Sequence, residues 1–445
     1  MLPGWLIIGA SFAYLLLLFA VAYFGDRRAD AGRSIIDNPW VFSLSLAVYC
    51  TAWTYFGSVG RAASGGPWFL PTYLGPTLGL TLAWLVVLKM IRIARSYRVT
   101  SIADFVASRY GKSHLLGGLV TLIAARLAMI PIDNSVAGRV AARYGGRRVR
   151  GGLVTLVAVV GVVPYIALQL KAISSGYALL IGEHDSLFRV ESQAGWWQDG
   201  TLYIALTLAA FTVLFGTRHL DTTERHEGMV AAIAFESVVK LLAFLAIGIF
   251  VCWGLFDGPG DIFARAAAQP ALSGLSGLGG ESKFAGGQWF ALTLLAMLSV
   301  IFLPRQFQVM VVENVDERHV QRATWAFPAY LLLINLFVLP IALGGLLHFG
   351  VGGADPETFV LSLPLANGQS LLALVAFIGG LSAATGMVIV EASAVSTMVS
   401  NDLVMPLLLR LRHRASSDLS GVPLAVRRVV IVALLLLGYL YFRVA

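Results

Sequence analysis

The chain has 445 residues, 58% of them hydrophobic and only 13% charged, with a formal net charge of +8. A water-soluble domain carries roughly 25% charged residues, so a soluble globular fold is excluded. The positive balance does not signal nucleic-acid binding, because the cytoplasmic loops of membrane proteins collect Lys and Arg.

Apolar runs of about 20 residues recur along the whole chain, which predicts an all-α, polytopic helical membrane protein. The runs are continuous rather than alternating, which argues against a β-barrel. Ten spans are expected, at roughly 2–24, 41–60, 66–90, 151–181, 200–217, 228–256, 286–304, 326–349, 368–398 and 429–445. The first run has no basic residue before it and is too long for a signal-peptide core, so it reads as a retained helix. With the N-terminus outside, the inward loops hold nineteen Lys and Arg, including Arg27, Arg28, Arg92, Arg95 and Arg318. The outward loops hold only Arg61, Arg189, Arg265 and Lys283, and this bias places the N-terminus outside. Trp196 and Trp197 in the outer loop suit an interfacial belt.

Span 41–60 is the unusual one. Tyr49, Cys50, Thr51, Trp53 and Thr54 crowd its middle, and Gly57, Ser58 and Gly60 follow. Broken membrane helices of this composition line solute and ion sites, because unwound backbone is tolerated only where it faces a cavity or other protein groups. Helix packing through small residues is the alternative. Cys50 and Cys252 both lie in apolar runs, so neither a disulfide framework nor a cysteine metal site is expected.

Segment 115–150 does not fit a simple span. VASRYGKSHLLGGLVTLIA (106–124) recurs as VAARYGGRRVRGGLVTLVA (140–158), identical at twelve of nineteen positions. A tandem duplication or insertion over 125–150 is the preferred reading, and an additional hairpin is the alternative. The chain stops at Ala445 without a hydrophilic tail, which reads as a cut at a helix end.

Ionisable groups inside spans are functional candidates by default. Glu236 and Lys240 lie four apart on one helix, a spacing and order that favour a self-neutralising ion pair over a place on a proton or substrate route. Lys171, after Gln169 in PYIALQLKAISS, either reaches into a cavity or extends to the interface. Glu391 has no basic neighbour in sequence; it is either a buried proton relay or an exposed residue near the inner end. Ser382 and Thr385 lie one turn apart, and hydroxyls opposite unwound carbonyls suit a hard cation such as Na+, although helix packing explains them equally well. Arg305 and Gln306 follow a proline in FLPRQFQVM, as in a broken helix or a cytoplasmic gate, yet such an arginine is more often a plain inner-face anchor. No nucleophile–base set, zinc motif or phosphate loop is present, so an intramembrane enzyme is a distant third reading.

Taken together, SLSLAVYCTAWTYFGSVGRAASGG, SIADFVASRYGK, VVGVVPYIALQLKAISSGY, PRQFQVMVVENVDERH and LSAATGMVIVEASAVSTMVSNDLVMPLLLR resemble the sodium/solute symporter family. More narrowly, the chain is similar to the symporter-like membrane module at the N-terminus of bacterial transporter-linked sensor histidine kinases. The resemblance implies a leucine-transporter-like core of two inverted five-helix repeats over 41–445, preceded by one extra helix within 1–40. It implies a bacterial cytoplasmic membrane, a small solute such as an amino acid or carboxylate, Na+ or H+ as coupling ion and no other cofactor. C-terminal kinase domains would follow as partners, and this chain itself would not be an enzyme. Carried over to this sequence, the family's sodium site falls on the backbone carbonyls near Val48 and Thr51 and on a hydroxyl pair at Ser382 and Ala383, with Thr385 as substitute. The family's aspartate in the first core helix is matched by Cys50. These departures leave Na+ coupling, proton coupling or none open. Tyr49, Trp53, Gln169, Lys171, Arg305 and Gln306 are the residues expected to contact solute or gate access. A receptor that signals without flux is the alternative function.

Overall fold

The computed structural model describes residues 2–110, 147–182, 199–216, 226–276, 285–405, 407–408 and 421–444. Among the described residues every regular element is helical. Helix α1 (Gly4–Asp30) precedes α2 (Pro39–Ser45), which tightens into a 3-10 turn at Leu46–Tyr49. After an extended Cys50 the chain resumes as a π turn, Trp53–Gly57, and α3 (Ser58–Gly65). Then come α4 (Pro71–Leu82), α5 (Trp84–Tyr97), α6 (Ile102–Tyr110), α7 (Arg147–Ile181), α8 (Gly200–Gly216) and α9 (Glu227–Ile249). The chain continues through α10 (Pro259–Ala268), α11 (Ala285–Phe302), α12 (Pro304–Phe307), α13 (Arg318–Asn335), α14 (Val338–Phe349), α15 (Phe359–Ala366), α16 (Ser370–Met398) and α17 (Val422–Val444).

Helices dominate because every backbone polar group in hydrocarbon must be satisfied within its own segment. Six helical stretches are individually long and apolar enough to cross a membrane. They are α1, most of α7, α9 with its π turn to Leu255, α13 joined to α14, α16 with its π turn to Val404, and α17. Two further pairs qualify only together, bent by 70° between α4 and α5 and by 50° at the start of α12. Pro39–Tyr49 and Gly200–Leu214 are shorter apolar helices. Each of the ten expected spans therefore has a helical counterpart. The chain is a polytopic all-α membrane protein.

Two expected spans differ in shape. The 66–90 run is not one helix, because α4 turns sharply into α5 at Ala83. Gly75 and Gly79 hold α4 backbone-close to Thr293, Met297 and Val300 of α11, whereas α5 leads to Arg92 and Arg95, which bond Glu317 and the Asn314–Val315 loop. The 286–304 run breaks at Leu303, where Pro304 starts a new helical turn. The repeat over 125–150 and the Trp196–Trp197 pair lie outside the described residues, apart from the helical backbone of 147–150.

Helix α16 is the axis of the bundle, with 83% of its most apolar window buried against 28% for α1 and for α17. It packs on α9 and α7; α1 covers α9, and α17 covers α7. Leu16, Phe290, Leu332 and Leu371 are exposed around the outside, as lipid-facing side chains are. Trp40 and Trp325 meet edge-to-face at 5.3 Å with the Arg322 guanidinium over both rings, an arrangement suited to a membrane interface. On that face Arg92 pairs with Glu317, and Arg95 donates to the Asn314 side chain and to the Asn314 and Val315 carbonyls, tying α5 to the loop after the broken α11–α12 pair.

Candidate solute and cation site

The site begins where the first core helix stops. Asn38 caps α2 by accepting from the Trp40 N–H, and Pro39 occupies the first turn, where its missing donor costs nothing. The helix then fails at Cys50, whose φ of −80° and ψ of 99° are extended. A break deep in a bilayer leaves backbone groups without intrahelical partners, and each must be satisfied by another group.

Three side chains from three other helices bond to the backbone around the break. Lys240 of α9 donates to the Ala47 carbonyl at 2.7 Å and to the Cys50 carbonyl at 2.8 Å. Gln169 of α7 accepts from the Ala52 N–H at 3.0 Å. Gln306 of α12 donates to the Leu46 carbonyl at 3.3 Å. All three were singled out from the sequence, but none for this role. Val48 and Thr51 lie in the broken stretch as expected, yet the carbonyls that Lys240 engages are those of Ala47 and Cys50. The Thr51 carbonyl accepts from Tyr55 N–H, and its hydroxyl meets the Tyr165 hydroxyl at 3.0 Å.

The Glu236–Lys240 ion pair expected from the sequence does not form. Lys240 reaches across to the broken helix, and Glu236 turns to α16, where its Oε1 accepts from the Thr385 hydroxyl at 2.7 Å. The Ser382 hydroxyl donates to the Glu236 backbone carbonyl at 2.9 Å. Gly386 makes room for this carboxylate, since a Cβ there would collide with Oε2 of Glu236. Thus both candidate sodium-ligand hydroxyls join α16 to α9.

Arg305 and Glu391 overturn their plainer readings. Arg305 is no surface anchor and Glu391 is no exposed end residue, because both are buried and pair at 3.0 Å. The guanidinium also lies over the Tyr165 ring, 4.9 Å from its centroid. Tyr165 thereby joins Thr51 to the Arg305–Glu391 pair, a role that its sequence context did not signal. Tyr49 donates its hydroxyl to the Thr72 carbonyl at 2.8 Å, pinning the broken helix to α4.

Beside the break is a cleft that opens to solvent. Ala52, Trp53, Phe56 and Gly57 form one wall; Leu168, Lys171, Ala172, Ser175 and Gly176 of α7 form the second; Asp355, Glu357, Thr358 and Leu361 close the third. Of the expected solute-contacting residues, Trp53 and Lys171 line it, while Tyr49, Gln169, Arg305 and Gln306 lie in the polar layer beside the break. No residue of α11 or α12 is among those lining the cleft. Sequence reasoning missed Phe56 and Glu357, since a lone aromatic in an apolar run and a loop carboxylate carry no distinguishing signal.

No family model and no curated protein matches this sequence. Among solved structures, the chain is similar to a Na+-coupled sialic acid symporter in a substrate-bound, outward-open state. The TM-score is 0.61 at 14% identity, over 98% of this chain and 81% of that one. At that identity the likeness establishes the fold alone, a bundle of membrane helices shared with that symporter.

Proposed function

We propose that the chain is the solute-transporting and sensing membrane module of a two-component sensor histidine kinase, located in a bacterial cytoplasmic membrane. The single observation that carries the transport reading is the cleft built on the broken helix. It joins an aromatic wall (Trp53, Phe56), a cation (Lys171) and carboxylates (Asp355, Glu357) at one mouth. That set suits a small zwitterion or carboxylate, whose acid group faces Lys171 and whose amine faces Glu357. The kinase context is supported by the resemblance of the sequence runs alone. Rocking of the bundle around α16 would expose the cleft alternately to the two sides, as discontinuous-helix transporters do.

The test is uptake of labelled amino acids and short carboxylates into proteoliposomes, with Na+ and H+ gradients imposed separately. Transport should fall at least about tenfold in Lys171→Met, the loss expected when one charge-assisted contact is removed. Saturable binding without uptake would point instead to a receptor that signals without flux. Neither binding nor uptake across the panel would reject the cleft as a solute site.

A further inference from the structure

The oxygen-lined opening at the break is filled by the protein itself. The Lys240 ammonium takes both the Cys50 carbonyl and the Ala47 carbonyl, which also accepts from the Cys50 N–H within the 3-10 turn. Lys240 is 2% exposed and Cys50 1%, so bulk water does not share the position. A buried break of this kind, with carbonyl dipoles converging, is where a hard monovalent cation settles. The ammonium brings one positive charge to the same dipoles, tethered to α9 by its own four-carbon stem.

A second observation separates this from a simple charge clasp. Glu236 stands one turn before Lys240, a spacing at which an ion pair forms readily. Yet the two do not pair. Glu236 is held away by Thr385, and Gly386 leaves space for it there. The charged and titratable groups whose fields reach Lys240 are the Cys50 thiol, the Glu236 carboxylate and the Arg305 guanidinium.

We propose that Lys240 is a tethered cation that does for the broken helix what a bound alkali-metal ion would do, so that the break neither requires nor admits Na+. A second cation at the same carbonyls would meet the ammonium at contact distance, where like charges in a water-poor site repel strongly. The proposal deepens the transport reading and rests on it for its meaning in a transport cycle, in which the driving gradient is not one of Na+.

Its test uses Na+ alone as the probe and needs no flux. The purified full chain is unfolded thermally in NaCl and in choline chloride at equal ionic strength, and binding of radioactive sodium is measured in parallel. The wild-type protein should unfold at the same temperature in both salts and bind no sodium. Lys240→Ala, with the carbonyls uncovered, should unfold about 2 °C or more higher in about 150 mM NaCl than in choline chloride, and should bind sodium. A lysine that merely stapled the helices would lower the midpoint equally in both salts. Sodium binding by the wild type, or a Lys240→Ala protein blind to Na+, overturns the proposal. If Lys240→Ala folds in neither salt, Lys240→Arg and Lys240→Met decide in choline chloride. Folding of the arginine variant alone supports a required cation, whereas equal stability of the two overturns it. Absence of uptake alongside the expected sodium results would remove the transport reading and leave the tethered cation standing.

Discussion

Glu391 and Arg305 stand 86 positions apart and meet in the middle of the bundle, almost wholly out of water. Burying both charges is tolerable because they pair and because the Tyr165 ring covers the guanidinium. Removing one partner is the severe change. Glu391→Gln leaves Arg305 charged without a counter-ion and should cost about 3–5 kcal/mol of stability. Arg305→Met combined with Glu391→Leu should recover most of that loss, to within about 1 kcal/mol of wild type, while impairing solute movement if the pair serves as a gate. Unfolding midpoints of the single and double variants in detergent check the first statement, and uptake checks the second. Gln169→Leu should be costly for a different reason. It orphans the buried Ala52 N–H at the break, a loss of about 1–3 kcal/mol, read in the same unfolding series. These residues show what a sequence reveals at this scale. Intramembrane Glu, Lys, Arg and Gln identify themselves by their expense in an apolar run, so the buried polar residues beside the break stood out in the sequence, whereas Tyr165, Phe56 and Glu357 did not. Their partners did not stand out either. The i,i+4 rule pointed Lys240 at Glu236, but two carbonyls at the break in another helix compete for the same ammonium, and no local pattern reports them.

At the scale of elements, the junction between the start of α9 and the end of the broken α11–α12 pair is a charged latch. One Glu313 oxygen accepts from the His226 backbone N–H, and the other faces His226 Nδ1 at 2.8 Å and accepts from Gln308. Burial alone would push the His226 ring below its ordinary value, but the Glu313 charge and hydrogen bond outweigh it and hold the ring above 6.5. Burial alone would raise the Glu313 carboxyl, but the His226 charge and hydrogen bonds outweigh it and hold the carboxyl below 4.5. The raised histidine contributes stability that is full below pH 6.5 and lost as pH rises through its folded value. The depressed carboxylate contributes stability that is present above pH 4.5 and lost as pH falls through its folded value. The latch should therefore be strongest between pH 4.5 and 6.5 and weaken on the alkaline side. His226→Gln should flatten the alkaline decline of the unfolding midpoint between about pH 6 and about pH 9, and an unchanged decline would assign it to another group. Helices as elements were largely legible, because a run of about 20 apolar residues has few alternatives in a bilayer. Their bends were less so. Pro304 announced one, but no residue at the turn at Ala83 did, and the close approach of α4 to α11 at Gly75 and Gly79 is a property of two helices at once.

At the scale of the whole molecule, the fold sorts its charges to one face. Arg27, Arg28, Arg92, Arg95, Arg318 and Arg322 gather where α1 and α5 end and α13 begins. The Leu2 N–H bonds the Leu180 carbonyl at the opposite face, on the side where Gly350–Thr358 lead into α15 and where Asp355 and Glu357 edge the cleft. Basic residues are retained on the cytoplasmic side, so the N-terminus and the cleft mouth are both expected to face outward. The molecule allows a direct test, because Cys50 and Cys252 are buried and should be silent to a bulky thiol reagent. Val351 is exposed at one face, and Ser34 lies half-buried at the other. In intact cells with a permeable outer layer, a membrane-impermeant maleimide should label Val351→Cys and should label Ser34→Cys only after lysis. Solute should protect a second site, Thr358→Cys in the cleft wall, from the same reagent while leaving Val351→Cys unprotected. Labelling of Ser34→Cys before lysis would invert the orientation. Protection of neither cysteine by any solute that binds would move the solute site away from this mouth.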